Sequence, residues 1–379
     1  YTYTAGDIID RHGYFGGEHK GDGASYSVRV GHTWKDLAAV ANPASLPFQV
    51  VQTGDLPHTV SEIGWPSPNR YRADATVLVA AYGALQGVDG FYWFAVGENS
   101  LCDTGMGKFP VGVPTIYGSF PAAALAYRRG DVAEAEEVVS QTLRLDDLYA
   151  MTESGVAAAQ ALDALRAADI PVDARSSAGK AAFDPLLFYV GRIARRFGDK
   201  PLTRGRQRLE SLVDRSTGRV RSCTGQLDWR IGTAVTVDTP RAVAVAGFLA
   251  GAGEAKLAEG RVRIVSGNEY GAVWVIAMDG EPLAQSKRIL VQAMTEDQPY
   301  GFASENGRIA DLGGWPQNVK LIDATVSLRS GAGQSCRVVT LDESGFARRS
   351  EVLQPEKTSV GMVLTVKLAA DALYTMILR

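Results

Sequence analysis

Residues 58–96 constrain the fold more than any other stretch of the chain. His58-Thr59-Val60-Ser61-Glu62-Ile63-Gly64-Trp65 reads as a strand, stopped by Pro66 and Pro68. Residues 74–86 then place Val77, Leu78, Ala81, Tyr82 and Leu85 at i, i+1, i+4, i+5 and i+8, which predicts a helix with one buried stripe. Gly87 ends it, Asp89-Gly90 turns the chain, and Phe91-Tyr92-Trp93-Phe94-Ala95-Val96 is a short apolar strand. Strand, helix and strand joined this closely make a βα unit, and such units build parallel sheets with buried strands. Upstream, residues 7–15 predict another strand running into a Gly-rich loop. Downstream, residues 120–129 predict a helix that closes the region.

The text changes twice after that. Residues 131–204 read as helical: 132–143 and 153–168 are rich in Ala, Glu and Leu, with Asp131 as a cap for the first. From 205 to 379 the pattern is β-rich. Residues 261–265 alternate, Gly271-Ala272-Val273-Trp274-Val275-Ile276-Ala277-Met278 is a buried strand before an Asp279-Gly280 turn, and residues 288–294, 320–328, 336–341 and 360–368 follow at turn-separated intervals. That series predicts a β-sandwich. Trp229, Trp274 and Trp315 are expected in core or inter-domain packing, the alternative being a sugar-stacking surface.

Composition closes off several classes. The 379 residues carry 39 Lys+Arg against 42 Asp+Glu, a net charge of −3, which gives no long-range attraction to nucleic acid. The apolar runs fall short of the roughly 18 residues a membrane span needs. Cys102, Cys223 and Cys336 lie far apart and form no metal-binding or disulfide pattern. The chain opens at Tyr1 in strand-like text with no leader, which suggests a piece of something longer.

Three places offer chemistry. In Asp10-Arg11-His12-Gly13-Tyr14, the side chains at i, i+2 and i+4 of a strand share a face, so Asp10, His12 and Tyr14 point together just before a loop. The bland alternative is a core histidine with an edge tyrosine. Glu62 ends an apolar strand, where a carboxylate is costly unless paired or working; the bland alternative is a salt bridge to Arg70 or Arg72. Trp93 offers an aromatic face that could stack on a sugar, or else fills the core.

Taken together, Asp10-x-His12-x-Tyr14, then Glu62, then Trp93, each on its own strand, resemble the last three strands of a TIM-barrel retaining glycoside hydrolase, from the clan with catalytic glutamates on strands four and seven. The resemblance covers residues 1–130. It implies α/β plus all-β architecture: the C-terminal half of a (β/α)8 barrel, a helical connector over 131–204, and a β-sandwich over 205–379. It implies Glu62 as nucleophile, Tyr14 hydrogen-bonded to Glu62, His12 on a sugar hydroxyl or orienting the acid/base, and Trp93 as the floor of the subsite. Asp10, Asn69, Arg70 and Tyr71 are expected to contact substrate. No cofactor and no metal are implied; the partner is an oligo- or polysaccharide, with neither nucleic acid nor membrane.

One departure stands out. Retention needs a second carboxyl group about 5–5.5 Å away, and in that clan it follows an asparagine on strand four. Asn268-Glu269 is the only such pair here, and it falls between two predicted strands as a hairpin turn. The expectation is therefore that the acid/base lies in an absent N-terminal half-barrel, and that this chain alone is a poor catalyst. Enzymes of this kind are often exported, so a secreted or periplasmic parent is expected. The alternative from another class is a non-catalytic carbohydrate-binding protein. A metal hydrolase using His12, His19, His32 and Asp22 lacks any HExxH or facial-triad pattern, Gly16–Gly21 lacks a phosphate-loop ending, and no GxSxG elbow is present.

Overall fold

The computed structural model describes residues 5–49, 52–54, 56–97, 105–146, 184–199, 202–205, 209–330 and 334–379. Three strands, β1 (Ile9–Tyr14), β2 (His58–Gly64) and β3 (Gly90–Trp93), form a parallel sheet in that order. Helix α1 (Ala75–Gln86) follows β2, and α2 (Phe120–Arg129) follows β3.

Antiparallel β-structure dominates the rest. A ten-stranded sheet runs from Val213–Asp214 at one edge to Ala347–Leu353 at the other, with Ala242–Gly247 and Gly271–Ala277 at its centre. A five-stranded sheet containing Val262–Ser266, Ala324–Arg329 and Gly361–Lys367 lies over it. Between them Val243, Val245, Val273, Val275, Ile289 and Val291 meet Val262, Ile264, Val326, Leu328, Leu364 and Val366 in one apolar core.

The expected architecture is overturned. Among the described residues the structure is mostly β, 42% strand and 14% helix, with large antiparallel sheets, and a half (β/α)8 barrel with its helices and a helical connector does not fit it. The clearest local failure is residues 132–143. Instead of a helix, Glu137–Leu143 is a strand that pairs parallel with Arg192–Phe197 and antiparallel with Leu202–Gly205. Val138, Val139 and Thr142 are β-branched and favour a pleated surface; pairing partners distant in sequence override the Ala- and Glu-rich text before them. The second expected helix, 153–168, lies outside the described residues, as do Cys102 and the opening residues 1–4.

Helix α1 also departs from expectation. It is buried almost all round, from Ala75 to Gln86 with Ala84 the exception. The far face of the ten-stranded sheet covers what would otherwise be its solvent side: Tyr82 packs on Trp229, 5.4 Å between rings, and on Tyr189 at 5.0 Å. On the other side Gly83 lets the Phe91 ring of β3 lie directly on the helix backbone, where a Cβ would collide with it. A helix apolar on every face is one that is covered on every face. Trp229 and Trp274 are fully buried, Trp229 donating its Nε1–H to the Val40 carbonyl at 2.9 Å, whereas Trp315 is exposed.

Asn268-Glu269 sits between strands as expected, but the two strands belong to different sheets, so the segment crosses between layers and is no hairpin. Asn268 braces that crossing through the Leu321 carbonyl and the Asp323 amide, both at 2.8 Å.

Candidate functional site

β1 and β2 pair in parallel, with Asp10 opposite Thr59, His12 opposite Glu62 and Tyr14 opposite Gly64. Regular alternation from Thr59 would put Ser61 on the face of Asp10 and Glu62 on the other. The register shifts between Arg11 and His12, and a bulge of this kind re-aims the side chains that follow it. As a result the neighbours Ser61 and Glu62 both reach the polar row of β1, while Val60 and Ile63 stay fully buried on the opposite face.

Glu62 is the centre of this row. Tyr14 donates its hydroxyl to Glu62 Oε2 at 2.5 Å, and His12 Nδ1 lies 3.3 Å from the same oxygen. The other imidazole nitrogen, His12 Nε2, is 3.9 Å from Asp10 Oδ2, so the ring bridges two carboxylates. Glu62 is 29% exposed and His12 35%, so solvent or a ligand can reach both. The salt bridge that would make Glu62 ordinary is not formed with either candidate arginine: Arg70 pairs with Asp36, Glu269 and Glu296, and Arg72 with Asp297.

Asp10 plays a different part. Burial raises its carboxyl, but the Ser61 and Thr59 hydroxyls and the Ser61 amide together hold it below the usual carboxylate range. Thr59 Oγ1 donates at 2.7 Å, the Ser61 amide at 3.0 Å, and Ser61 Oγ donates to the second oxygen. A carboxylate accepting several hydrogen bonds stays ionised, which suits an anchor for His12 and not a proton donor.

Aromatic rings wall one side. Tyr14 packs on Phe109 at 5.0 Å and edge-on to Phe94 at 6.1 Å, and Phe94 meets Phe109 at 5.4 Å. Gly64 lies under this wall: a Cβ there would be tight against the Phe94 carbonyl at 3.3 Å and in ordinary contact with the Tyr14 ring at 3.5 Å.

The remaining sequence candidates are placed elsewhere. Trp93 shares its face of β3 with Phe91 and, with it, lines an apolar cavity of about 210 Å³ between α1 and α2. Its nearest ring is Trp65, at 6.3 Å. The exposed aromatic of β3 is its neighbour Tyr92, turned the other way. Asn69 is buried and brackets the Leu37 backbone, accepting from its amide at 3.0 Å and donating to its carbonyl at 2.9 Å. Arg70 and Tyr71 clasp the antiparallel sheets: Arg70 reaches Glu269 at 3.0 Å and Glu296 at 3.3 Å, Tyr71 donates to Glu269 at 3.0 Å and packs on Tyr270 at 4.6 Å. Glu269 is thus committed to a clasp.

The four members of the metal alternative do not converge on one point. His12 belongs to the Glu62 row, His19 and His32 bond to each other, and the Asp22 carboxylate pairs with Arg29 at 3.2 Å. Among the described residues no group of three or more His, Cys, Asp or Glu could hold a metal ion.

Sequence reasoning missed Ser61, Thr59, Phe94 and Phe109. Thr59 and Ser61 lie on the face of Asp10 by alternation but on a different strand, so only the pairing of β1 with β2 brings them to it, and the two rings lie beyond the strands. Compared with protein-family models, curated proteins and solved structures, the chain matches none.

Proposed function

We propose that the Glu62 row is a carbohydrate site and that Glu62 is the nucleophile of a retaining glycoside hydrolase. One observation carries this reading: a reachable carboxylate, free of arginine pairing, is fixed by a phenol at 2.5 Å and an imidazole at 3.3 Å on one open face. Held so, one oxygen is oriented by Tyr14 and the carboxylate can attack an anomeric carbon. The new C–O bond forms as the bond to the leaving oxygen breaks with its electron pair; water then hydrolyses the glycosyl ester. The neighbouring hydroxyls of Thr59 and Ser61 belong to Asp10, leaving His12 to meet a sugar hydroxyl.

The first step ordinarily needs a general acid. Asp10 does not fit that role, because its donors hold it ionised. This observation favours the second reading, a carbohydrate-binding protein without turnover. Activated substrates separate the two, because 2,4-dinitrophenolate leaves without protonation. Dinitrophenyl glycosides of several sugar configurations are offered to the chain and to Glu62→Ala. Turnover that falls by about three orders of magnitude or more in the variant, and returns with azide as a glycosyl azide of inverted configuration, supports the nucleophile. Sugar binding without turnover of any substrate overturns it in favour of the binding protein.

A further inference from the structure

Beside the Glu62 row lies a chain of polar groups, His32 and Lys108 buried and His19 half-buried between them, that its chemistry does not use. His19, on the strand Glu18–Lys20, and His32, just before the strand Thr33–Lys35, face each other with His19 Nε2 and His32 Nδ1 at 3.0 Å. Lys108 Nζ lies 2.8 Å from His19 Nδ1, and His32 Nε2 lies 3.1 Å from the Asp22 carbonyl. Lys108 and His32 are each only 5% exposed.

The protons in this chain are fixed from its two ends. A lysine ammonium only donates, so His19 Nδ1 must accept and its proton sits on Nε2. His19 therefore donates to His32 Nδ1, and His32 donates through Nε2 to the carbonyl, which only accepts. Each of the three side chains has a partner in this arrangement, and the Ala24 backbone adds a hydrogen bond to His19.

Its position ties it to the site. Lys108 and Phe109 are neighbours, and the segment is stitched down by the Ser67 amide on the Lys108 carbonyl at 3.0 Å and the Ala95 amide on the Phe109 carbonyl at 2.9 Å. The Phe109 ring is the wall against Tyr14 and Phe94.

We infer that Lys108, His19 and His32 form a proton-sensitive clasp that positions Phe109 against Tyr14, and that the clasp opens when His19 takes up a second proton. Its effect on catalysis rests on the function proposed above, whereas its effect on Phe109 does not. Protonation at Nδ1 removes the acceptor of Lys108 and sets two cations face to face in a half-buried space. Burial first, then the Lys108 and His32 charges, push His19 down to about 4; burial pushes Lys108 down to about 8. The clasp is therefore closed at neutral pH and fails in acid. Other charged groups around it are engaged on the surface: Glu18 with Lys35 and Lys20, Asp22 with Arg29, and Arg308 on the Gly31 carbonyl. Lys108 is the sole titratable residue of the segment 105–111.

The structural part of the test needs no substrate. The sequence has 4 histidines, so a 15N-histidine spectrum of the full chain is assignable by single substitutions, and 4-fluorophenylalanine at position 109 reports the wall by 19F resonance. The expected results are a neutral His19 with its proton on Nε2 at pH 6, and a 19F line that shifts with a midpoint near pH 4. Lys108→Met should displace or broaden that line at pH 7. His19→Gln, whose amide can accept from Lys108 and donate to His32, should keep the line at pH 7 and lose the acid transition. Reaction of Glu62 with an activated glycoside should slow roughly tenfold or more in Lys108→Met and stay within about twofold in His19→Gln. A 19F line indifferent to Lys108→Met, or a His19 that titrates as a solvent histidine does, overturns the clasp. If the 19F and 15N results hold while the unsubstituted chain shows no glycoside chemistry, the clasp stands and the proposed reaction falls.

Discussion

The two sides of helix α1 are built from different materials. On one side, the antiparallel sheets meet through Val, Ile and Leu. On the other, the parallel strands and their loops bury ionisable groups. Of the fully buried His, Arg, Lys, Asp and Glu among the described residues (His32, His58, Arg72, Asp74, Lys108, Asp131 and Asp297), only Asp297 lies beyond residue 205, and it faces Arg72. An apolar core responds to volume and is indifferent to pH. A core containing ionisable groups responds to pH where burial moves a group off its solution pKa, as it does for His58, Asp74 and Lys108. The side that holds the Glu62 row is thus the side whose stability and shape depend on protons.

The largest expected effect comes from breaking the most deeply buried charge pair that joins the two sides. Arg72 donates to Asp297 Oδ1 at 2.5 Å, and the Thr115 amide and hydroxyl hold the other oxygen at 2.9 and 3.0 Å. Arg72→Met leaves a buried carboxylate without its cation and should cost roughly 3–5 kcal/mol in chemical denaturation.

Asp74 should give the next largest change, with a pH signature. It lies just before α1, accepts the Tyr270 hydroxyl at 2.5 Å, and burial pushes its carboxyl up to about 7. Between its unfolded value near 3.8 and about 7, the folded chain binds the proton more tightly than the unfolded one. Its contribution to stability is therefore complete below 3.8 and is lost as pH rises to 7. Asp74→Asn escapes that loss. It should match the parent near pH 4 and exceed it by on the order of 2–4 kcal/mol above pH 7, measured as denaturation midpoints across pH. An equal shift at every pH would show that the carboxyl is not the cause.

Ile289, fully buried between the sheets, is the apolar counterpart. Ile289→Val should cost about 0.5–1.5 kcal/mol, with the same value at pH 5 and pH 8. The smallest effect belongs to the site itself. Glu62 is partly exposed and a glutamine side chain keeps an oxygen to accept the Tyr14 hydroxyl, so Glu62→Gln should move stability by no more than about 0.5 kcal/mol. A large loss would mark Glu62 as a structural group.

Much of the Glu62 row was legible because it depends on the period of a strand. Asp10, His12 and Tyr14 share a face by alternation alone, and the structure keeps them there. Glu62 joins them only through the shift of register beside Ser61, which local sequence does not announce. The same parity decides between Trp93 and its neighbours: strand text ran to Val96, whereas the strand ends at Trp93, which faces the helices. Elsewhere the missing information was non-local. Residues 137–143 become a strand because Arg192–Phe197 and Leu202–Gly205 offer edges to pair with. The second buried face of α1 depends on Trp229, which no window around α1 contains. Asn69, Arg70 and Tyr71 were assigned by their place after β2; their partners Leu37, Glu269 and Glu296 come from distant segments.

Covalent trapping tests the assignment of Glu62 most directly. The chain is incubated with 2-deoxy-2-fluoroglycosyl fluorides of gluco, galacto, manno and xylo configuration, whose fluoride leaves without an acid and whose glycosyl ester hydrolyses slowly. Intact mass and peptide mass spectrometry should show one fluorosugar, on the peptide containing Glu62, absent from Glu62→Gln. An unchanged mass with all four sugars, or a label that persists in Glu62→Gln, would contradict a nucleophilic Glu62.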